Sequence, residues 1–281
     1  SKSNEGFSEP FFLPNEKAYC ETCASVGMAF WNHRMTLLHE DAKFADLAER
    51  EMFNGALSGV ALDGEHYAYV NPLAGSGMRP PWQGCSCCPT NLARFLPSIA
   101  GYTYATRDDA LFVNHYMRSR AELALGSKKI SVAQDTDYPW NGVITFTMNM
   151  PAASEFSLRL RIPAWCQGTA SPDDLYAFEG RPAEGACKIS VNGENLPSTR
   201  IERGYAVLDR AWHDGDTVRL ELPMPILRVK ARPEVKADQG RIALQRGPLV
   251  YCFETVDNPR PVRSLALPSN TQFNAVPDPQ L

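Results

Sequence analysis

The chain has 281 residues, of which 44% are hydrophobic and 21% are charged, an ordinary composition for a globular protein of about two domains. Its formal net charge is -4 and its basic residues are scattered, which excludes the electrostatic footprint of a protein that binds nucleic acid or an anionic membrane. No apolar run approaches the roughly 20 residues of a membrane-spanning helix, and the first residues do not open a signal peptide.

The first part of the chain carries a helical pattern. Apolar residues recur at helical spacing over residues 16–40 and again from Asp41 to about Leu57. Asp41 suits the N-cap position, because its carboxylate can accept a hydrogen bond from the free N–H groups of the first turn. Two consecutive helices are therefore predicted.

A hairpin and a third helix are predicted next. Residues 61–73 contain two short extended runs around Asp63-Gly64, which predicts a hairpin with its turn there. The third helix is predicted to begin at Pro89, since proline suits the first helical turn, and to end at Gly101. The loop that leads into this helix is then expected to hold three thiols, those of Cys85, Cys87 and Cys88.

The pattern changes at about Ala110. From there, short runs rich in β-branched residues alternate in polarity and are separated by turns such as Asn192-Gly193 and Asp214-Gly215. This pattern predicts a β-sandwich over residues 111–256. Residues 257–281 are rich in proline and asparagine and are predicted to form an extended tail. The expected fold is α + β and multidomain, with a helical part over residues 1–110.

The eight cysteines are unevenly placed. Five of them fall in two tight groups within the first 88 residues, and three are isolated. In a chain of this size, clustered thiols favour a metal site or catalysis over a disulfide framework, which small secreted domains use in place of a large core. The isolated thiols are interpreted as buried small hydrophobic side chains. They are Cys166, Cys187 and Cys252.

Three segments carry a family resemblance. They are NEGFSEPFFLPNEKAYCETCASVG at Asn4 to Gly27, YVNPL at Tyr69 to Leu73, and RPPWQGCSCCPTNLARFLPSIAGYTYA at Arg79 to Ala105. Together they resemble the bacterial β-L-arabinofuranosidase family, glycoside hydrolase family 127, formerly a domain of unknown function. The resemblance implies the C-terminal part of a catalytic (α/α)6 helical barrel followed by a β-sandwich, because about three helices cannot close a barrel of twelve.

The resemblance also implies a zinc site. The E-T-C and C-x-C-C motifs of the family place its Zn²⁺ ligands on Glu21, Cys23, Cys87 and Cys88. Spacing alone would instead nominate Cys20 together with Cys23, because residues three apart share a helix face. Glu21 and Cys23 are two apart, so the ligand set of the family requires a non-helical or helix-start backbone at that point.

The catalytic roles come from the same resemblance. Retaining glycosidases normally use two carboxylates, and in this family a zinc-bound cysteine, here Cys87, takes the place of the nucleophile. The acid/base glutamate falls on Glu5, although Asn4 stands where the family has glycine. Tyr69 resembles a tyrosine that contacts the substrate, while a core aromatic side chain on a strand remains the alternative.

The implied partner is a carbohydrate, a β-L-arabinofuranoside or a related rare sugar in a plant-derived glycan. No nucleic-acid or membrane partner is expected, and homo-oligomer formation and the compartment, bacterial cytoplasm or periplasm, are left open. Two other classes of function also stay open. One is a zinc-stabilised carbohydrate-binding or interaction module, since four protein ligands usually mark a structural zinc. The other is a redox protein, ranked last because no thioredoxin-like βαβ pattern surrounds the thiols.

Overall fold

The computed structural model of the chain describes residues 5–75, 84–180 and 187–276. Its fold is mixed α + β, with the helices in the first part and strands after them. The three α-helices are α1 (Thr22–His39), α2 (Ala42–Glu51) and α3 (Cys87–Ser98). No helix in the described ranges is long and apolar enough to cross a membrane.

Helix α2 begins as predicted and ends in irregular turns. The Asp41 carboxylate accepts a hydrogen bond from the backbone N–H of Lys43 at 3.0 Å, which confirms its N-cap role. The helix continues into a π-helical segment, Met52–Ala56, and a 3-10 turn, Leu57–Gly59.

Two predicted helix starts were wrong. Helix α1 begins at Thr22 rather than near residue 16, because Glu21 is extended (φ -75°, ψ 133°) and forms an antiparallel bridge with Val70. Helix α3 begins at Cys87, two residues before Pro89. Cys87 and Cys88 therefore lie in the first helical turn, and only Cys85 of the three thiols precedes the helix.

The predicted turn at Asp63-Gly64 is present. Val60 and Tyr67 form an antiparallel bridge across it, and Gly64 has φ +71°. The Asp63 carboxylate accepts hydrogen bonds from the backbone N–H groups of Glu65 and His66. The second arm of this hairpin runs on to the bridge at the start of α1, so the hairpin fixes where α1 begins.

Strands in the described ranges form three sheets, in which neighbouring strands are antiparallel except for β2 and β6, which are parallel. The first sheet has the order β1 (Tyr104–Arg107), β2 (Ala110–Val113), β6 (Ser154–Arg161), β11 (Tyr205–Trp212), β10 (Ile201–Glu202). The second has the order β3 (Ser119–Leu125), β4 (Lys128–Thr136), β5 (Val143–Asn149), β12 (Thr217–Glu221), β8 (Lys188–Val191), β9 (Glu194–Asn195). The third has the order β15 (Leu249–Tyr251), β14 (Ala243–Arg246), β13 (Ile226–Ala231), β7 (Tyr176–Phe178).

The first two sheets share one hydrophobic core. Alternate residues of β6 and β11, such as Leu158, Leu160 and Leu208, are buried together with Phe146 of β5 and Leu220 of β12. The period-2 alternation of each strand brings these apolar side chains to one face. A separate core in the helical part includes buried Cys88 together with side chains from α1 and α3.

Helix α1 is apolar on two sides. Val26 and Ala29 are buried in the helical core, whereas Met28, Trp31 and Leu38 are exposed, with Trp31 63% exposed. Residues three or seven apart lie on one face of a helix, so these exposed side chains form an apolar stripe. A helix that is apolar on both sides is typical of a position between two packed layers.

A buried ionic network joins α2 to the first sheet. The Arg161 guanidinium on β6 is 0% exposed and contacts the carboxylates of Asp46 and Glu49. The Tyr138 hydroxyl donates a hydrogen bond to Glu49 Oε1 at 2.8 Å. Burial raises the pKa of the Asp46 carboxyl to about 6, because the cost of burying its charged form outweighs the attraction of Arg161. Two carboxylates therefore share one guanidinium at this junction.

Candidate metal centre and active site

The start of α1 positions two polar side chains, Glu21 and Cys23. Glu21 is the N-cap residue, with an extended backbone, and Cys23 lies in the first turn. The backbone N–H of Thr22 donates to the Tyr69 carbonyl at 3.0 Å, and the Thr22 hydroxyl donates to the Ala68 carbonyl at 2.7 Å. The backbone changes from extended at Glu21 to helical at Thr22, so the side chains of Glu21 and Cys23 lie on the same side of the chain. This is the helix-start backbone that the ligand set of the family requires.

The 3-10 turn Leu57–Gly59, just before the hairpin, also lies close to the start of α1. Gly59 accepts a hydrogen bond from the backbone N–H of Ala68 at 2.7 Å. A Cβ atom on Gly59 would lie 2.8 Å from the Thr22 Oγ1 atom. The absence of a side chain at this glycine therefore lets the 3-10 turn pack against the start of α1.

The start of α3 supplies two more donors, Cys87 and Cys88. Ser86 is the N-cap residue, so both cysteines lie in the turn whose backbone N–H groups have no partner within the helix. These N–H groups carry partial positive charge, which favours negative groups beside them. The thiols are thus placed where a helix start stabilises thiolates.

The four donor atoms converge. The carboxylate of Glu21 and the sulfurs of Cys23, Cys87 and Cys88 all lie within 4.8 Å of one another. The Sγ–Sγ distances are 3.3 Å for Cys23 and Cys88 and 3.8 Å for Cys87 and Cys88. Glu21 Oε1 lies 3.5 Å from Cys87 Sγ and 3.8 Å from Cys88 Sγ.

Two of these four distances fit a tetrahedral metal site, whereas Cys23 and Cys88 lie closer together than such a site requires. With zinc–sulfur bonds of about 2.3 Å and a zinc–oxygen bond of about 2.0 Å, two sulfurs lie about 3.8 Å apart and a sulfur and an oxygen about 3.5 Å apart. The Cys87–Cys88 and Cys87–Glu21 distances match these values. Thiolate and carboxylate are also donors that zinc accepts in proteins.

Burial disfavours the deprotonated, charged form of the Cys88 thiol. Cys88 is 0% exposed, and burial, followed by the hydrogen bond with Cys23, raises the pKa of the Cys88 thiol well above its usual range. A divalent cation at the cluster would reverse this effect, because a coordinated thiol loses its proton. The donor set is therefore suited to a cation.

The two remaining clustered thiols lie outside the four-donor cluster. Cys20 is half-buried, and burial raises the pKa of its thiol. The spacing of Cys20 and Cys23 therefore did not identify the cluster. Cys85 is exposed, and its Sγ atom lies 3.4 Å from Cys87 Sγ. It adjoins the cluster without being part of it.

Tyr69 lies between the cluster and the helical core. Its carbonyl oxygen is 4.0 Å from Cys88 Sγ, and its ring contacts the ring of Tyr19 edge to face, with the centroids 6.2 Å apart. The hydrogen bond with Tyr19, followed by that with Cys87, raises the pKa of the Tyr69 hydroxyl well above its usual range. The hydroxyl therefore faces Cys87, and the ring also packs against the core.

Asn91 is a site residue that the sequence reasoning missed. Its side-chain Nδ2 donates to the Cys23 sulfur at 2.9 Å. A signal was available, because Asn91 follows Cys88 by three positions and Cys87 by four, and residues at these spacings share a helix face.

Glu5 is not one of the four donors that converge within the described residues. It lies in an exposed bend before the first helix. Asn4, Arg79 and Trp82, which belong to the quoted motifs, lie outside the described residues.

Comparison with family models gives three matches in chain order. Residues 1–101 match the catalytic domain of GH127 β-L-arabinofuranosidase. Residues 110–224 match the GH127 middle domain, and residues 226–278 match the C-terminal domain of glycoside hydrolase family 127.

Individual relatives agree with these matches. A non-reducing end β-L-arabinofuranosidase of Bifidobacterium longum subsp. longum is 37% identical over 275 residues, which are 91% of this chain and 38% of the relative. A solved GH127 β-arabinofuranosidase is 45% identical with a TM-score of 0.85, over 90% of this chain and 40% of that one. A GH127 β-L-arabinofuranosidase from Geobacillus stearothermophilus T6 is 41% identical with a TM-score of 0.80, over 90% and 39%. The chain thus spans about two fifths of the length of these relatives.

Proposed function

The chain belongs to glycoside hydrolase family 127, and from that premise we propose that it forms part of a retaining glycoside hydrolase. The proposed substrate is a plant-derived glycan from which the enzyme releases β-L-arabinofuranose or a related rare sugar. The observation that carries the proposal is the convergence of Glu21, Cys23, Cys87 and Cys88, since both family motifs meet at one point. The activity is proposed for the complete protein, because the chain spans about two fifths of its relatives.

The proposed cofactor is one Zn²⁺ ion held by these four residues. When bound, the ion would keep the thiols deprotonated and fix their positions. The support is the match of two ligand–ligand distances to tetrahedral values and the donor set itself, one carboxylate and three thiols.

Cys87 is the proposed nucleophile. Cys88 is fully buried, and Cys23 receives the hydrogen bond from Asn91, which reduces the reactivity of its sulfur. Cys87 is half-buried and so remains accessible from one side. Its sulfur attacks the anomeric carbon, and the bond from that carbon to the leaving oxygen breaks. Tyr69, whose hydroxyl faces Cys87, is proposed to contact the sugar.

Glu5 is the proposed acid/base. It gives a proton to the leaving oxygen and then takes one from the water that displaces the sulfur and releases the sugar. Its placement in an exposed segment is compatible with a role that is completed when substrate binds.

The proposed architecture follows the same premise. Residues 1–110 would be the C-terminal part of an (α/α)6 barrel, which is supported by the exposed apolar stripe of α1. Residues 111–256 would form the β-sandwich part, supported by the common core of the first two sheets, and residues 257–281 an extended tail.

The test is the activity of the complete protein on p-nitrophenyl β-L-arabinofuranoside. Cys87→Ser should abolish turnover and largely keep substrate binding, and Cys85→Ser should have a milder effect. A mechanism-based inhibitor for retaining furanosidases should label Cys87 in mass spectrometry. If the label lands on Glu21 while Cys87→Ser keeps appreciable activity, the thiolate mechanism is wrong and the site is structural.

The role of Glu5 has its own test. Glu5→Gln should lower turnover by about 10²- to 10⁴-fold on alkyl arabinosides, whose leaving groups need a proton. The loss in the first step should be much smaller for the p-nitrophenyl substrate, whose leaving group is already a weak base. Equal losses on both substrates would remove Glu5 from the acid role.

A zinc-stabilised carbohydrate-binding or interaction module is the second candidate function. It is favoured by the number of donors, because four protein ligands usually close a structural site. If metal removal unfolded the helical part without changing any hydrolysis, this candidate would replace the first.

A further inference from the structure

Cys85 is an exposed thiol that the proposed reaction does not use. Its Sγ atom lies 3.4 Å from the sulfur of Cys87, yet Cys85 is not one of the four converging donors. A reagent in solvent therefore reaches Cys85 more readily than the half-buried Cys87.

The geometry favours a bond between these two sulfurs. Disulfide formation needs a sulfur separation of about 2.05 Å and Cα atoms within about 7 Å, a limit that two residues with one residue between them can meet. The two sulfurs already lie 3.4 Å apart, and Cys85 can move towards Cys87 because it is exposed and precedes the helix. Cys23 and Cys88 also lie 3.3 Å apart, but both belong to the four-donor cluster.

We propose that Cys85 is an oxidation site that forms a reversible disulfide with Cys87 and so switches the site off. The proposal rests on the proposed function only in giving Cys87 the role of nucleophile. The oxidant is a peroxide, and the reductant that restores the thiols is a dithiol.

The chemistry balances in two steps. The Cys85 sulfur attacks one oxygen of hydrogen peroxide, the O–O bond breaks, and a sulfenic acid and one water form. The Cys87 sulfur then attacks the Cys85 sulfur, the S–O bond breaks, and the hydroxide leaves with the remaining thiol proton as a second water. Two thiols are oxidised and one peroxide is reduced. A dithiol reverses the step by exchange and is itself oxidised.

The consequence for the site is protective. The disulfide removes the Cys87 sulfur from attack on a sugar and from the donor set, so three donors remain. It also prevents oxidation of Cys87 to sulfinic acid, which a dithiol cannot reverse.

Peptide mapping tests the proposal directly. The protein is purified with reductant, desalted, treated with hydrogen peroxide, alkylated and digested with trypsin. Cys85, Cys87 and Cys88 fall on one tryptic peptide, residues 51–94, and Cys23 falls on another, residues 18–34. The expected result is that the 51–94 peptide loses two of its three alkylation sites, keeps alkylated Cys88, and regains all three after dithiothreitol.

Variants make the test specific. Cys85→Ser should lose the internal disulfide, keep its zinc content before oxidation, and after peroxide show oxidised Cys87 that dithiothreitol does not restore. Cys252→Ser, a change at an exposed thiol outside the cluster, should behave like the unchanged chain. A cross-link between the 18–34 and 51–94 peptides, or full recovery in Cys85→Ser, would overturn the proposal.

Failure of this inference is distinguishable from failure of the proposed function. If the disulfide forms but the inhibitor does not label Cys87, the oxidation site stands and the nucleophile role falls. If the inhibitor labels Cys87 but the 51–94 peptide keeps three alkylation sites, the oxidation site falls and the nucleophile role stands.

Discussion

The side-chain amide of Asn91 donates a hydrogen bond to the sulfur of Cys23, with 2.9 Å between Nδ2 and Sγ. This contact joins α3 to α1 beside the cluster and gives the Cys23 sulfur a hydrogen-bond donor. Groups of this kind orient metal ligands, and their loss typically weakens metal binding by about 10- to 100-fold. Asn91→Leu should therefore raise the zinc dissociation constant by about that factor, as measured by competition with a chromogenic chelator.

The matched control is Asn195→Leu, which makes the same change at an exposed residue of β9. It should leave the dissociation constant unchanged. Equal zinc affinity in Asn91→Leu and the unchanged chain would show that the amide has no part in holding Cys23.

Metal content gives the second prediction. The reduced chain should bind one zinc per molecule, and Cys88→Ser should lose it, because Cys88 is the fully buried member of the donor set. Chelation should also lower the Tm, since a metal that binds only the folded state stabilises it. Elemental analysis and thermal unfolding measure the two effects, and Cys166→Ser is the control at a half-buried thiol outside the cluster. A reduced chain without zinc would contradict the proposed cofactor.

The network at Arg161 gives the third prediction. Arg161→Leu would leave the carboxylates of Asp46 and Glu49 buried without their common partner. Removal of one member of a buried ionic group costs about 3 to 5 kcal/mol of unfolding free energy. Urea unfolding should show a loss of that size. Arg118→Leu, which removes two ion pairs of an arginine that is 69% exposed, should cost less than about 1 kcal/mol.

The raised pKa of Asp46 gives the fourth prediction. Its carboxyl titrates at about 6 in the folded chain against 3.8 as the reference, so the folded state holds the proton more tightly than the unfolded state. The resulting stabilisation is fully present below about pH 4 and is lost as the pH rises through about 6. The loss amounts to about 3 kcal/mol, since one pKa unit corresponds to about 1.4 kcal/mol.

Asp46→Asn tests this prediction, because the amide resembles the protonated acid at every pH. The unfolding free energy of the variant relative to the unchanged chain should rise by up to about 3 kcal/mol between pH 4 and pH 7. Zinc-dependent effects are common to both proteins and cancel in the difference. A difference that stays constant with pH would mean that Asp46 keeps its ordinary pKa.

The motifs predicted which donors meet, but local pattern could not place every helix start. Proline is tolerated throughout the first turn, whose N–H groups have no helical partner, so Pro89 marks the turn without fixing its first residue. The start of α1 depends on Val70, which pairs with Glu21 across the intervening hairpin. That pairing is a tertiary contact, and the apolar spacing of residues 16–40 does not report it.

Arg161 shows a different limit of sequence reasoning. The alternation of Phe156, Leu158 and Leu160 on β6 places Arg161 on the face away from the sheet core, which predicts an exposed side chain. Helix α2 covers that face, and Arg161 contacts Asp46 across 115 positions of the chain. The residue pattern of β6 alone cannot predict that α2, which is distant in sequence, covers this face.

Position 59 contributes no donor atom to the cluster, yet the packing around Gly59 limits which residues can occupy it. A Cβ atom there would lie 2.8 Å from Thr22 Oγ1, a separation that forces Thr22 to shift and moves Glu21 and Cys23 on either side of it. In saturation mutagenesis scored by zinc retention, position 59 should accept glycine alone, whereas Gly27, whose Cβ atom would meet nothing within 4 Å, should accept many residues. The range of sequences that the chain tolerates around its thiols is therefore limited in part by a 3-10 turn that supplies no metal ligand.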